Sequence, residues 1–158
     1  MHRSTRPAAT AATTLIACAL LSACAPRGLA FRVDKRVSFR SPRDRATVTL
    51  PVTLDWDATG FAGTFAVFLD RTPMPPGRSL RWLARNDVNC VAARGCPDAE
   101  YLRERGVYPT TETQLTLAAV PKAGTKNRHR ATIVLLDADG QRIGESAFEL
   151  EFTVVGAP

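Results

Sequence analysis

From Val48 to Trp56 the chain alternates. Val48, Leu50, Val52, Leu54 and Trp56 fall on one side, with Thr47, Thr49, Thr53 and Asp55 on the other. Successive side chains point to opposite sides only in an extended backbone, so this period of two specifies a strand with one buried and one wet face. Pro51 interrupts the run; lacking an N–H, it fits a sheet edge or a switch between sheets. The pattern returns in Phe65, Val67 and Leu69, and again in Phe148, Leu150, Phe152 and Val154, which alternate with Glu149, Glu151 and Thr153. The 11 prolines and 10 glycines of the 158-residue chain lie mostly between short apolar runs, which favours strands and turns over long helices. This length suits one domain. No apolar stretch approaches the roughly 20 residues of a spanning helix.

Other segments fill in the order of elements. Leu29, Phe31, Val33, Val37 and Phe39 alternate too, but Lys35 breaks the apolar side, so an ordered first strand is expected from Val37. Ser41-Pro42-Arg43-Asp44 reads as a turn, and Leu115-Thr116-Leu117 as a short strand. Ala131 to Leu136 is apolar enough to be buried on both faces, and Asp137-Ala138-Asp139-Gly140 makes a tight turn before the last strand. Residues 71–113 depart from alternation. Thr72-Pro73-Met74-Pro75-Pro76-Gly77 reads as a stiff turn, and 97–106 as a short helix. Pro97 is placed at its first position, acids near its start, arginines near its end and Gly106 at its stop. Loops this long tend to carry function, which makes 71–113 the candidate binding surface.

The N-terminus reads as a processing signal. His2, Arg3 and Arg6 precede a small, apolar stretch from Ala8 to Leu21, which ends in Leu21-Ser22-Ala23-Cys24. This resembles the lipobox of bacterial lipoproteins. The resemblance implies cleavage before Cys24, alkylation of its thiol with diacylglycerol and acylation (palmitate or similar) of the new amino group; an ordinary secretory signal is the alternative. The chain then divides into a cleaved signal peptide over 1–23, a lipid-anchored basic tether over 24–36 and a β-sandwich domain over 37–158. Ala25 after the cysteine would fit sorting to an outer membrane where the host has one. The expected location is extracytoplasmic, anchored to a cell membrane or outer membrane.

Charge follows the same division. Of the net +6, Arg3 and Arg6 belong to the signal, residues 25–45 carry seven basic against two acidic side chains, and the remainder sums to −1. A basic stretch beside the anchor, rather than a basic face over the domain, argues against a nucleic-acid partner. Arg32, Arg36 and Arg40 fall on one side of an extended strand. They are candidates for contact with anionic headgroups, against the plainer reading of a solvated, aggregation-resistant edge.

Of the four cysteines, Cys18 lies in the signal and Cys24 takes the lipid. Cys90 and Cys96 remain in an oxidising compartment, with Gly95 to bend the chain between them, and are expected to form a disulfide. So small a ring contributes roughly 2–2.5 kcal/mol by loop entropy. Their spacing is not that of a redox Cys-x-x-Cys pair, and a metal site would need more ligands. His129 is the only histidine beyond the signal, with no partner evident for acid–base work. The Asp137-x-Asp139-Gly140 turn with Glu145 has only the start of a calcium loop. No phosphate loop, nucleophile elbow or zinc spacing is present. The expectation is therefore no enzyme, no cofactor and no metal.

Several pieces taken in order resemble bacterial immunoglobulin-like and fibronectin type III-like domains. They are Ser41-Pro42 before Val48, Val52-Thr53-Leu54-Asp55-Trp56, and His129 with Ala131, Ile133 and Leu135 followed by Asp137-x-x-Gly140. Arg45 stands where those domains usually have glycine. The resemblance spans 37–155. It implies an all-β, immunoglobulin-like antiparallel β-sandwich of about seven strands, here with one short helix in a long disulfide-containing loop. It also puts His129 at a corner position that bonds back to the preceding loop. This fold serves adhesion, scaffolding and carbohydrate contact alike and specifies none of them. The leading expectation is a non-catalytic binding or scaffolding module with an envelope protein or glycan partner. The alternative is a small-molecule or glycan receptor with Trp82, Tyr101 and Tyr108 as stacking groups.

Overall fold

The alternating segments become strands in the computed structural model, which describes residues 36–121 and 127–156. Cys24, Arg32 and the segment 29–35 lie outside the described residues. β1 (Val37–Ser41) starts at Val37, as the break at Lys35 implied. The run from Val48 to Trp56 is divided between two sheets. β2 (Ala46–Val48) pairs with β8 (Arg142–Val154), while β3 (Val52–Ala58) pairs with β1 and with β6 (Gln114–Leu117). Pro51 sits at the joint, where no ladder hydrogen bond is asked of it. Beyond it come β4 (Thr64–Leu69), β5 (Val107–Thr110) and β7 (Arg128–Leu136).

These strands form a two-sheet β-sandwich of order β1-β3-β6 and β2-β8-β7-β4-β5. β1, β3 and β6 stand where A, B and E stand in immunoglobulin-like sandwiches, and β4, β7 and β8 where C, F and G stand. Three details differ from expectation. The described residues form eight strands, because the Pro51 switch separates β2 from β3 and because β5 lies inside the segment read as a loop. The sheets are not wholly antiparallel, since β2 runs parallel to β8. The 71–113 segment holds a 3-10 turn (Leu80–Ala84) and two helices, α1 (Val88–Ala92) and α2 (Ala99–Glu104), rather than one helix. Arg45, where glycine is usual, takes φ 61°, so the backbone keeps the left-handed turn without the residue that favours it.

Two apolar layers share the larger sheet. On its inner face Phe65, Val67, Leu69, Ile133, Leu135, Leu150 and Phe152 meet Val52, Leu54 and Trp56 of the smaller sheet. Aromatic rings lock the halves together: Trp56 lies edge-on to Phe65 at 5.6 Å, and Phe39 of β1 lies 5.1 Å from Phe148 of β8. On the outer face Ala66, Phe68, Val134 and Leu136, with Val107 of β5 beside them, are covered by Met74 and Leu102 of the insertion. Burial on both faces explains the unbroken apolar runs of β4 and β7. Each large apolar side chain so buried contributes about 1.5–3 kcal/mol.

One end of the sandwich collects the start of β1, the end of β3, the start of β4 and the β7–β8 turn. The chain reaches this end through Arg36, whose carbonyl accepts from Thr59 N–H at 2.9 Å. The opposite end holds the β2–β3 turn at Pro51 and Val154.

Candidate functional site

The insertion after β4 is strapped to the outer face before it forms helices. Met74 is fully buried. Arg142, at the start of β8, donates from Nη1 to the Met74 carbonyl at 2.7 Å; its backbone N–H donates to Arg78, and its carbonyl accepts from Gly77. Ser79 then bridges to Gln141, so the 3-10 turn begins beside the β7–β8 turn. The stretch read as a stiff turn is thus an ascending strap, pinned by one apolar and one cationic side chain. Burial pulls the Arg142 pKa below the ordinary arginine value.

Asp87 organises the helices that follow. Its carboxylate accepts from Cys90 N–H at 3.2 Å, capping α1, from the Tyr101 hydroxyl at 3.1 Å and from Arg105 Nη2 at 3.4 Å. Chiefly through the bond from Cys90 N–H, and also through Tyr101 and Arg105, its pKa is held below the usual carboxylate value. Burial first, then the bond to Asp87, raises the Tyr101 pKa. The expected Cys90–Cys96 disulfide is present, with Cα atoms 5.2 Å apart, and clips the middle of α1 to the approach of α2. Helix α2 is opened by Asp98, which accepts from Tyr101 N–H at 2.8 Å, and not by Pro97, which lies just outside. A cap needs a side-chain acceptor, and proline offers none. Gly106 ends it at φ 70°, and a Cβ there would stand 2.6 Å from the Leu69 carbonyl oxygen.

The three aromatic candidates do not form one platform. Trp82 and Tyr101 pack on the outer layer, whereas Tyr108 on β5 packs against the inner core. The Arg85 guanidinium lies 3.4 Å from the Trp82 ring centroid and that of Arg105 3.5 Å from Tyr101, so one face of each ring is covered from within the chain. Burial raises the Tyr108 pKa. What the insertion does present is apolar. Val88 is 77 % exposed and Val91 67 %, one helical turn apart on α1, beside the disulfide. Neither stood out in the sequence, because a five-residue helix is too short to show periodicity. The one available signal was Asp87 three residues before Cys90, the spacing of an N-cap.

Of the basic row, Arg40 is bonded to Asp57 of β3 through both Nε and Nη2. Arg36 precedes β1, with its guanidinium 5.9 Å from the Phe61 ring centroid. Elsewhere, a groove of about 320 Å³ opens on the part of the larger sheet that the insertion leaves uncovered. Arg128, Arg130, Thr132, Glu149 and Glu151 form its floor, with Asp70 to Pro73 along one side. At its end His129, 2 % exposed, holds Asp70 Oδ2 through Nδ1 at 2.7 Å, and Asp70 Oδ1 accepts from Arg130 N–H. The partner of His129 among the described residues is the residue after β4; residues 122–126 of the loop preceding β7, where the corner bond was expected, lie outside the described residues. The ring also stacks on Phe152, 5.6 Å away. The Asp137 carboxylate accepts from Asp139 and Gln141 N–H groups, closing the tight turn on itself.

Among the described residues no three His, Cys, Asp or Glu side chains gather as metal ligands, and no helix is long and apolar enough to cross a membrane. Compared with known proteins, the chain matches no family model, no curated protein and no solved structure at a significant level.

Proposed function

We propose that this protein is a lipid-anchored lipoprotein of the bacterial cell envelope, and that its sandwich is a non-catalytic binding or scaffolding module whose contacting element is the 71–113 insertion. One observation carries the contact. A disulfide, a strapped arginine and the Asp87 hub are spent on holding a short helix that turns two valines, 77 % and 67 % exposed, to the outside. Holding the chain in its bound shape beforehand lowers the entropic cost of association. The anchoring half of the proposal rests on Leu21-Ser22-Ala23-Cys24 alone.

Two experiments test the halves separately. Mass spectrometry of protein from its native host is expected to find Cys24 as the lipid-modified first residue; an unmodified Cys24 refutes the anchor. Pull-down of envelope components with the Cys90→Ser/Cys96→Ser variant is expected to lose what the wild type captures, and unchanged capture removes the insertion from the proposal. A receptor for a small polar ligand is the second reading, favoured by the groove beside Arg128 and Glu149. A saturable thermal shift with a soluble sugar or metabolite would support it over the first.

A further inference from the structure

We infer that the face formed by the 3-10 turn and α1 docks onto an anionic phospholipid surface, with Val88 and Val91 entering the headgroup–acyl boundary and Arg78, Arg81, Arg85 and Arg94 meeting phosphates. This deepens the reading above by naming what the insertion touches, and it rests on that reading for the protein's place beside a membrane.

Charge complementarity selects this occupant. Residues 78–94 hold four arginines and one carboxylate. The arginines are exposed, whereas the carboxylate, Asp87, is engaged inward by Cys90 N–H, Tyr101 and Arg105. The segment therefore carries more exposed cations than anions, although the exposed Asp98 and Glu100 follow it across the disulfide and residues 46–158 as a whole sum to −1. An apolar pair with exposed arginines among the residues before and after it matches an interface in which hydrocarbon lies a few ångströms beneath negative charge. A water-facing helix gains nothing from two bare valines.

Placement agrees. Arg36, where the described chain begins, lies at the end of the sandwich that carries the β7–β8 turn, and a Cβ on Gly144 would stand 3.6 Å from its Nη2. The 3-10 turn starts at that same turn, through the Ser79–Gln141 bridge and the Arg142–Arg78 hydrogen bond. The exposed Arg43, in the β1–β2 link, lies outside this segment and serves as the control.

The test uses the full chain from its native host and vesicles of phosphatidylcholine alone or with phosphatidylglycerol. Flotation with the neutral vesicles reads the anchor. Quenching of Trp82 by brominated lipid, together with hydrogen exchange of amides 85–94, reads docking; Trp56, buried in the core, serves as the internal blank. Docking predicts quenching and protection with phosphatidylglycerol and little without it. Arg81→Ala and Arg94→Ala should each weaken the docked state about fivefold. Val88→Asp/Val91→Asp should abolish it, and Arg43→Ala should change nothing. If the protein floats with neutral vesicles but phosphatidylglycerol brings no quenching or protection, docking is refuted and the anchor stands. If it fails to float yet is protected on phosphatidylglycerol, docking stands and the anchor falls. If neither occurs, both are refuted, and a protein becomes the better occupant for the valine pair.

Discussion

Leu102 decides whether the insertion is a layer of the fold or an appendage. It is 4 % exposed and sits in the outer layer with Phe68, Met74, Val107, Val134 and Leu136. Leu102→Ala removes three carbons from a site whose walls are strands on one side and a strapped segment on the other. Neither wall is free to collapse, so the loss should fall within the range for buried leucines that leave a cavity, about 2–4 kcal/mol. The same strands carry the inner core on their other face. The cost should therefore appear in the global unfolding transition and not as a local opening. Urea denaturation followed by far-UV circular dichroism measures the first, and native-state hydrogen exchange of residues 99–104 the second. A midpoint shift worth less than about 0.5 kcal/mol, accompanied by full loss of protection over 99–104, would refute the reasoning, because it would mean that the insertion opens by itself.

Three further outcomes follow from single contacts. Gly106→Ala places a Cβ against the Leu69 carbonyl at a positive φ and should lower stability by about 1–3 kcal/mol, measured by the same urea transition. Asp70→Ala leaves buried His129 Nδ1 and the Arg130 N–H without their acceptor, at a cost of about 1–3 kcal/mol, with Asp70→Asn expected to recover part of it. The Asp87 pKa lies below its ordinary 3.8 in the folded protein. Its contribution is thus fully present above that ordinary value and is lost as pH falls through the lower folded value. Exchange protection of the Cys90 amide should drop in that acid window, and Asp87→Asn should remove the dependence.

The strands were legible wherever one face is wet. Glu149 and Glu151 mark the outer side of β8, and Thr53 and Asp55 that of β3, so period two shows through. Pro51 even located the passage between sheets. β4 was read as half-buried because Phe65, Val67 and Leu69 dominate, but Ala66 and Phe68 are buried as well. Their cover comes from Met74 and Leu102, distant in sequence, and no local pattern announces it. β5 escaped notice since its four residues include Pro109 and are held as a strand by pairing with β4. The candidate site was legible as a region and as a disulfide. Its working parts were not, because the Asp87 hub and the Arg142 strap are contacts between residues 14 to 68 apart in the chain.

The parallel pairing of β2 with β8 has a mechanical consequence. The described chain begins at one end of the sandwich and its last strand leaves at the other. A pull applied between Arg36 and Val154 would therefore run along the strands rather than across them. The hydrogen bonds joining Ala46, Thr47 and Val48 to Phe152, Thr153 and Val154 would share that load together instead of parting one by one. A domain wired in this way resists tugging better than it resists peeling.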